Sequence, residues 1–161
     1  CFVPDGDYAG LVKRLRPETA APGEIVDLSG QVLGEHPGVV HFTVGQRRGL
    51  GFATGERVKI IAIDPATGTI TVSDRPEAAC ADACRAEAFR WHREPLRPGD
   101  RALAQVRYRQ KAVPAELEAV TENGGELAVR FGEPVFGVTP GQSLVLYDGD
   151  LVLGGGRIVQ D

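Results

Sequence analysis

The sequence contains no methionine, only three cysteines, and no apolar run near the roughly 18 to 20 residues that span a bilayer. No membrane-spanning helix is therefore expected. The opening residues "CFVPDGDYAG" have no basic segment followed by an apolar block, so no secretory leader is read there. An odd cysteine count without a leader argues against a disulfide framework and for a reducing compartment; the expected location is cytoplasmic. Cys1 stands directly before the apolar pair Phe2 and Val3, with no trace of an initiator. The expectation is a piece of a longer protein whose remainder lies upstream. Net positive charge is missing too: 18 Lys and Arg against 22 Asp and Glu leave −4 at pH 7.

What is present fits a soluble globular chain. At 161 residues, 42% hydrophobic and 25% charged, it can bury one real core or two small ones. Charge is unevenly spread. Residues 85–111 hold eight basic side chains against three acidic ones, a net +5, while residues 113–161 hold two against eight, a net −6. The cations are mostly Arg, which suits bidentate phosphate recognition better than Lys does. Two readings stay open, a solvated surface and a basic stripe for a polyanion. Cys80 and Cys84 form C-x3-C in "AACADACRAEA", a spacing that would put both thiols on one face of a helix. Zinc needs four ligands, and no second cysteine pair or His doublet lies nearby. Two small half-buried residues and no metal site are expected.

The fold reads as mainly β. In "DGDYAGLVKRLRP", Asp5 or Asp7 can cap a short helix in which Tyr8, Leu11, Val12 and Leu15 recur at helical spacing until Pro17. "GEIVDLSGQVLGEH" predicts two short strands around Ser29-Gly30, "GVVHFTV" a further β-rich run, and "RVKIIAIDPATGTITVS" a hairpin. Residues 75–88 are alanine-rich with little strand character, and a domain boundary is placed near residue 80. Beyond it, six short strands separated by turn signals predict a small antiparallel barrel or sandwich. The expected organisation is a mostly-β domain with one short helix over residues 1–80 and a six-stranded antiparallel β-barrel over 81–161.

Two stretches carry candidate binding residues. In "HFTVGQRRGLGF", Arg47 and Arg48 are hemmed in by Gly45, Gly49 and Gly51, which prevent a helix and interrupt a strand. Either this is a surface turn, or a loop that approaches a large anion. In "RALAQVRYRQ", the pleat would put Ala104, Val106 and Tyr108 on one face and Gln105, Arg107 and Arg109 on the other. Arg107 and Arg109 are then expected to project together, with Tyr108 in the barrel core and its hydroxyl near the rim.

"HFTVGQRRGLG", "WHRE", "VRYRQ", "FGEPVFGVTPGQSLVLYDGD" and "LGGGRI" follow in an order and spacing that resemble the tRNA-specific 2-thiouridylases. The resemblance runs from Cys1 to about Ile158. It implies an ATP-dependent enzyme that replaces O2 of the wobble uridine with sulfur, built from an N-terminal ATP-binding domain, a small central domain and a C-terminal β-barrel. Only the last two match here. The Gly154-Gly155-Gly156 run lies near the C-terminus, outside any strand-to-helix turn. ATP with Mg is therefore expected on the absent domain, and the chain alone is expected to be inactive. "CFVPDGDY" resembles the family's junction, which implies that Cys1 carries a persulfide and pairs in a disulfide with a cysteine of the absent domain when sulfur is released. The resemblance also implies tRNA contacts at Arg107, Tyr108 and Gln142. Arg47, Arg48 and Arg109 are further candidate RNA contacts. Expected partners are tRNA and a sulfur-relay protein or cysteine desulfurase; the chain is expected to be a monomer. The competing reading is a stand-alone β-barrel RNA-binding module without sulfur chemistry.

Overall fold

The computed structural model describes residues 7–51, 57–121 and 125–159. The chain divides into two compact units, Cys1–Ala79 and Cys80–Asp161, each with its own hydrophobic core.

In the first unit, helix α1 (Tyr8–Leu15) starts at Asp7, whose carboxylate accepts from the Gly10 N–H at 2.8 Å. Lys13 and Arg14 occupy its last turn, where they complement the helix dipole. Pro17 cannot continue the helix, and a 3-10 turn takes over at Pro17–Ala20. Strands β1 (Gly23–Val26) and β2 (Val32–His36) pair antiparallel across a turn organised by Asp27, whose Oδ1 accepts from Ser29 N, Ser29 Oγ and Gln31 N. Strands β3 (Lys59–Asp64) and β4 (Thr69–Ser73) form the hairpin read from the sequence. The sheet order is β2-β1-β4-β3, with β1 and β4 parallel. Ile25, Ile60, Ile70 and Val72 centre its core, and Val44 and Leu50 close it from the arginine loop.

The "GVVHFTV" run departs from expectation. Val39–His41 is a 3-10 turn followed by irregular chain. Its amides are satisfied locally, Phe42 N to Val39 O at 3.0 Å and His41 N to Gly38 O at 3.3 Å, rather than in a ladder. Buried His36 fixes the entry: its Nδ1 accepts from Gly38 N at 3.1 Å and its Nε2 donates to Gly68 O at 2.8 Å.

The second unit is a closed barrel of six strands: β5 (Cys80–Trp91), β6 (Arg101–Gln105), β7 (Val113–Val120), β8 (Leu127–Phe136), β9 (Ser143–Asp148) and β10 (Leu151–Val159). Every pairing around the ring β10-β5-β8-β7-β6-β9 is antiparallel. Strand β7 displays the rule that fills it: Val113, Ala115 and Leu117 point inward, Pro114, Glu116 and Glu118 outward. Closure leaves no unpaired edge to template another chain.

Residues 80–88 correct the sequence reading. They belong to the 12-residue strand β5, hydrogen-bonded to β8 on one side and β10 on the other. Two flanking ladders outweigh the weak β-propensity of alanine. Cys80 and Cys84 are thus strand residues, half-buried and buried respectively, and neither is joined in a disulfide among the described residues. The structure lends the expected disulfide no support among the described residues. The three consecutive glycines lie inside β10; Gly154 and Gly156 pack on Phe89, where a Cβ would stand 2.6 Å and 2.8 Å from its ring, and Gly155 faces Leu144 O and Val145. Among the described residues no helix is long and apolar enough to cross a membrane.

Candidate nucleic-acid interface

The register of β6 with β9 sets the site. Leu103 pairs with Tyr147 and Gln105 with Val145, so chain leaving β6 runs beside chain entering β9. Strand β6 stops at Gln105, and Val106 still points into the core. The backbone then turns: Gln110 N donates to Arg107 O at 3.1 Å, and Arg109 takes a left-handed φ of 65°. Side-chain amides staple this turn to the barrel. Tyr147 Oη donates to Gln105 Oε1 at 3.0 Å, Gln105 Nε2 donates to Gln110 O, and Gln110 Nε2 reaches Phe136 O at 3.5 Å.

Arg107 and Gln142 meet within this frame, Nε donating to Oε1 at 3.2 Å. The Arg107 guanidinium lies 5.9 Å from the centre of the Phe136 ring and directly over Gly137. A Cβ on Gly137 would stand 2.7 Å from Arg107 Cζ, and the residue already holds φ at +72°. Burial against these groups lowers the Arg107 pKa from its ordinary value, because desolvation disfavours the charged form. An Arg starts so high that its charge persists.

Tyr108 is 89% exposed, which overturns its assignment to the core. The pleat rule required β6 to continue, and the turn after Val106 ends it. Nor do Arg107 and Arg109 project together. Arg107 folds back over Gly137, while the exposed Arg109 lies over the Tyr108 ring at 5.3 Å. Arg107, Tyr108 and Gln142, with Gln105, Val106, Ser143 and Val145, line a shallow depression of about 400 Å³. Arg107, Arg109 and Lys111 bring three cations to residues 107–111, which contain no acid. An exposed aromatic ring, neutral amides and clustered cations can together take an unpaired base and its phosphate. Sequence reasoning missed Phe136 and Gly137 as the seat of Arg107. The available signal was a glycine after an aromatic residue in "PVFGV", which does not by itself name what lies on it.

In the first unit, the arginine loop is a built turn. Gly45, Gly49 and Gly51 hold φ of 93°, 72° and 81°, so each glycine is required by the backbone. Gln46 clamps the loop, its Oε1 accepting from Thr43 N at 3.1 Å and its Nε2 donating to Arg48 O at 2.9 Å. Backbone bonds between Ile60 and both Gly45 and Gln46 tie it to β3. The Arg47 and Arg48 side chains are exposed and make no ion pair or hydrogen bond among the described residues. Cys1 lies outside the described residues.

Comparison with known proteins covers nearly the whole chain. Residues 11–74 match the family described as "tRNA methyl transferase PRC-barrel domain", and residues 81–158 the one described as "Aminomethyltransferase beta-barrel domain". Similar curated proteins include the tRNA-specific 2-thiouridylase MnmA of Paramagnetospirillum magneticum, 45% identical over 98% of this chain and 41% of its own length. The enzyme of the same name from Roseiflexus sp. is 45% identical over 100% of this chain and 43% of its own. That from Rhizorhabdus wittichii is 47% identical over 98% and 39%. The chain thus spans about two-fifths of the length of these relatives.

Proposed function

The chain belongs to the tRNA-specific 2-thiouridylase family, and on that footing we propose that it is the tRNA-holding and sulfur-bearing part of an enzyme that replaces O2 of the wobble uridine with sulfur. The observation that carries the reading is the meeting of Arg107, Tyr108 and Gln142 on one depression of the barrel. Arg107 and Arg109 neutralise phosphate, the Tyr108 ring stacks on an unpaired base, and the Gln142 amide contacts a base edge or ribose hydroxyl. Arg47 and Arg48 of the first unit are further candidate phosphate contacts.

Of the two matched descriptions one speaks of methyl and the other of aminomethyl transfer, whereas the relatives matched over the whole chain are thiouridylases. Whole-chain identity near 45% is the stronger guide, since each description covers only one unit.

Cys1 is assigned the sulfur. As a persulfide it presents its terminal sulfur to C2 of a uridine; the C–S bond forms as the activated O2 leaves, and a second thiol outside this chain breaks the S–S bond and ends in a disulfide with Cys1. ATP with Mg is assigned to a part of the enzyme outside this chain; the three glycines of β10 lie within a strand and not at the strand-to-helix turn that a phosphate loop uses. On this reading the chain acts as a monomer and does not thiolate alone.

The test uses tRNA binding by the chain and thiolation by the full-length enzyme. Binding is weak and falls steeply with salt, because the contacts are mainly to phosphate. Cys1→Ser abolishes thiolation and leaves tRNA affinity intact. Affinity indifferent both to salt and to Arg107→Ala would overturn the proposal. Retained thiolation in Cys1→Ser would leave an RNA-binding module without sulfur chemistry.

A further inference from the structure

The polarity of the Arg107–Gln142 contact decides what Gln142 can recognise. An arginine side chain offers only donors, so the amide atom facing its Nε must be the carbonyl oxygen. The usual ambiguity between oxygen and nitrogen of a glutamine is removed by chemistry. With Oε1 engaged, the side chain has only its NH2 left to offer. Gln142 Nε2 has no partner among the described residues and is not among the buried unpartnered atoms, so it is open to the depression that Gln142 lines.

Arg107 is itself held in place. Its guanidinium lies on Gly137 and beside the Phe136 ring, and a Cβ on Gly137 would displace it. The Gln142 backbone is equally fixed, with Ile158 N donating to Gln142 O at 2.7 Å and Gln142 N donating to Thr139 O at 3.2 Å. The amide is thus set from both ends before any ligand arrives.

We infer that Gln142 is a donor-only reader of the RNA, recognising a hydrogen-bond acceptor such as a base carbonyl or ring nitrogen, and that Gly137 acts as a positioning residue by seating Arg107. This inference rests on the proposed tRNA-binding role of the depression. Arg107 has a second duty beside its charge, which is to turn the Gln142 amide outward.

The experiment measures affinity for unmodified tRNA across a salt series, in the full-length enzyme. Gln142→Met lowers affinity by about three- to ten-fold, the worth of one hydrogen bond, and leaves the salt slope unchanged because no phosphate contact is lost. Gln142→Glu keeps the acceptor for Arg107, and so preserves thermal stability, but loses the donor and binds at least as poorly as Gln142→Met. Gly137→Ala retains both functional side chains yet weakens binding to a similar degree. The double variant Gly137→Ala/Gln142→Met is no weaker than the worse single one, since both act through one amide. Additive losses would overturn the positioning role of Gly137. Unchanged affinity in Gln142→Met, with Tyr108→Ala weakened, would overturn the reader assignment alone. Unchanged affinity in both would instead sink the proposed RNA site. A thermal melt of each variant separates lost binding from lost fold.

Discussion

Arg107 Nε donates to Gln142 Oε1 across 3.2 Å, although 35 residues separate them in the chain. The β6–β9 ladder brings them together: Gln105 sits opposite Val145, so the residues just past one strand meet those just before the other. Replacing Arg107 tests both of its duties. Arg107→Ala should lower tRNA affinity more than tenfold and reduce the salt slope by about 0.7 to 0.9 for one lost phosphate contact. Arg107→Lys should restore the slope, because the charge returns, but not the full affinity, because the flat fork that fits Gly137 is gone. Equal affinities for the Arg and Lys forms would remove the geometric part of the argument.

Tyr108 offers a clean separation of binding from folding. With its ring almost wholly in solvent, Tyr108→Ala should change stability by no more than about 0.5 kcal/mol. Loss of base stacking should weaken tRNA binding by about 1–3 kcal/mol, and Tyr108→Phe should keep most of it. Paired melting and binding curves for the two variants check this. Equal weakening in Phe and Ala would transfer the role from ring to hydroxyl.

The arginine loop should behave as a scaffold with separable cargo. Arg47→Ala/Arg48→Ala removes two exposed charges that have no side-chain partner among the described residues, so the melting curve should not move while the salt slope of tRNA binding flattens. Gln46→Ala removes the clamp on Thr43 N and Arg48 O and should destabilise the first unit by about 1–2 kcal/mol with both arginines intact. An unchanged slope in the double arginine variant would return the loop to an ordinary surface turn.

Acid should loosen two turns of the first unit. The Asp27 carboxyl is held below its ordinary value of 3.8 chiefly by the Ser29 hydroxyl and then the Gln31 N–H. The Asp64 carboxyl is held below 3.8 by the Thr67 hydroxyl and then the Ala66 N–H. Both groups have a folded value below the unfolded one, so their contribution is complete above about 3.9 and is lost as pH falls through the folded values. Asp27→Asn with Asp64→Asn should therefore flatten the dependence of stability on pH below about 4. Urea unfolding at several pH values reads this directly; an unchanged slope would exclude both carboxylates.

Much of the fold was legible because short-range physics wrote it. Asp7 caps α1, Pro17 ends it, and alternating residues mark β7 and the β3–β4 hairpin. Strand β5 was not legible over residues 80–88, because its alanines become a strand only between two ladders contributed by distant sequence. "GVVHFTV" erred the other way: β-rich composition cannot tell that its amides will be satisfied within 3-10 turns.

At the site, the residue types Arg107, Tyr108 and Gln142 could be picked out from the sequence, and so could the need for glycines around Arg47 and Arg48. The orientation of those groups could not. Extending the β6 pleat buried Tyr108, whereas a turn closed by the Gln105 and Gln110 side chains exposes it. By itself the sequence determined the mainly-β layout with one short helix, much of the turn chemistry and the charge of the candidate site, since these depend on neighbours a few residues apart. Only the tertiary structure decided that Arg107 lies on Gly137 and turns the Gln142 amide outward, because that arrangement exists only once the barrel closes.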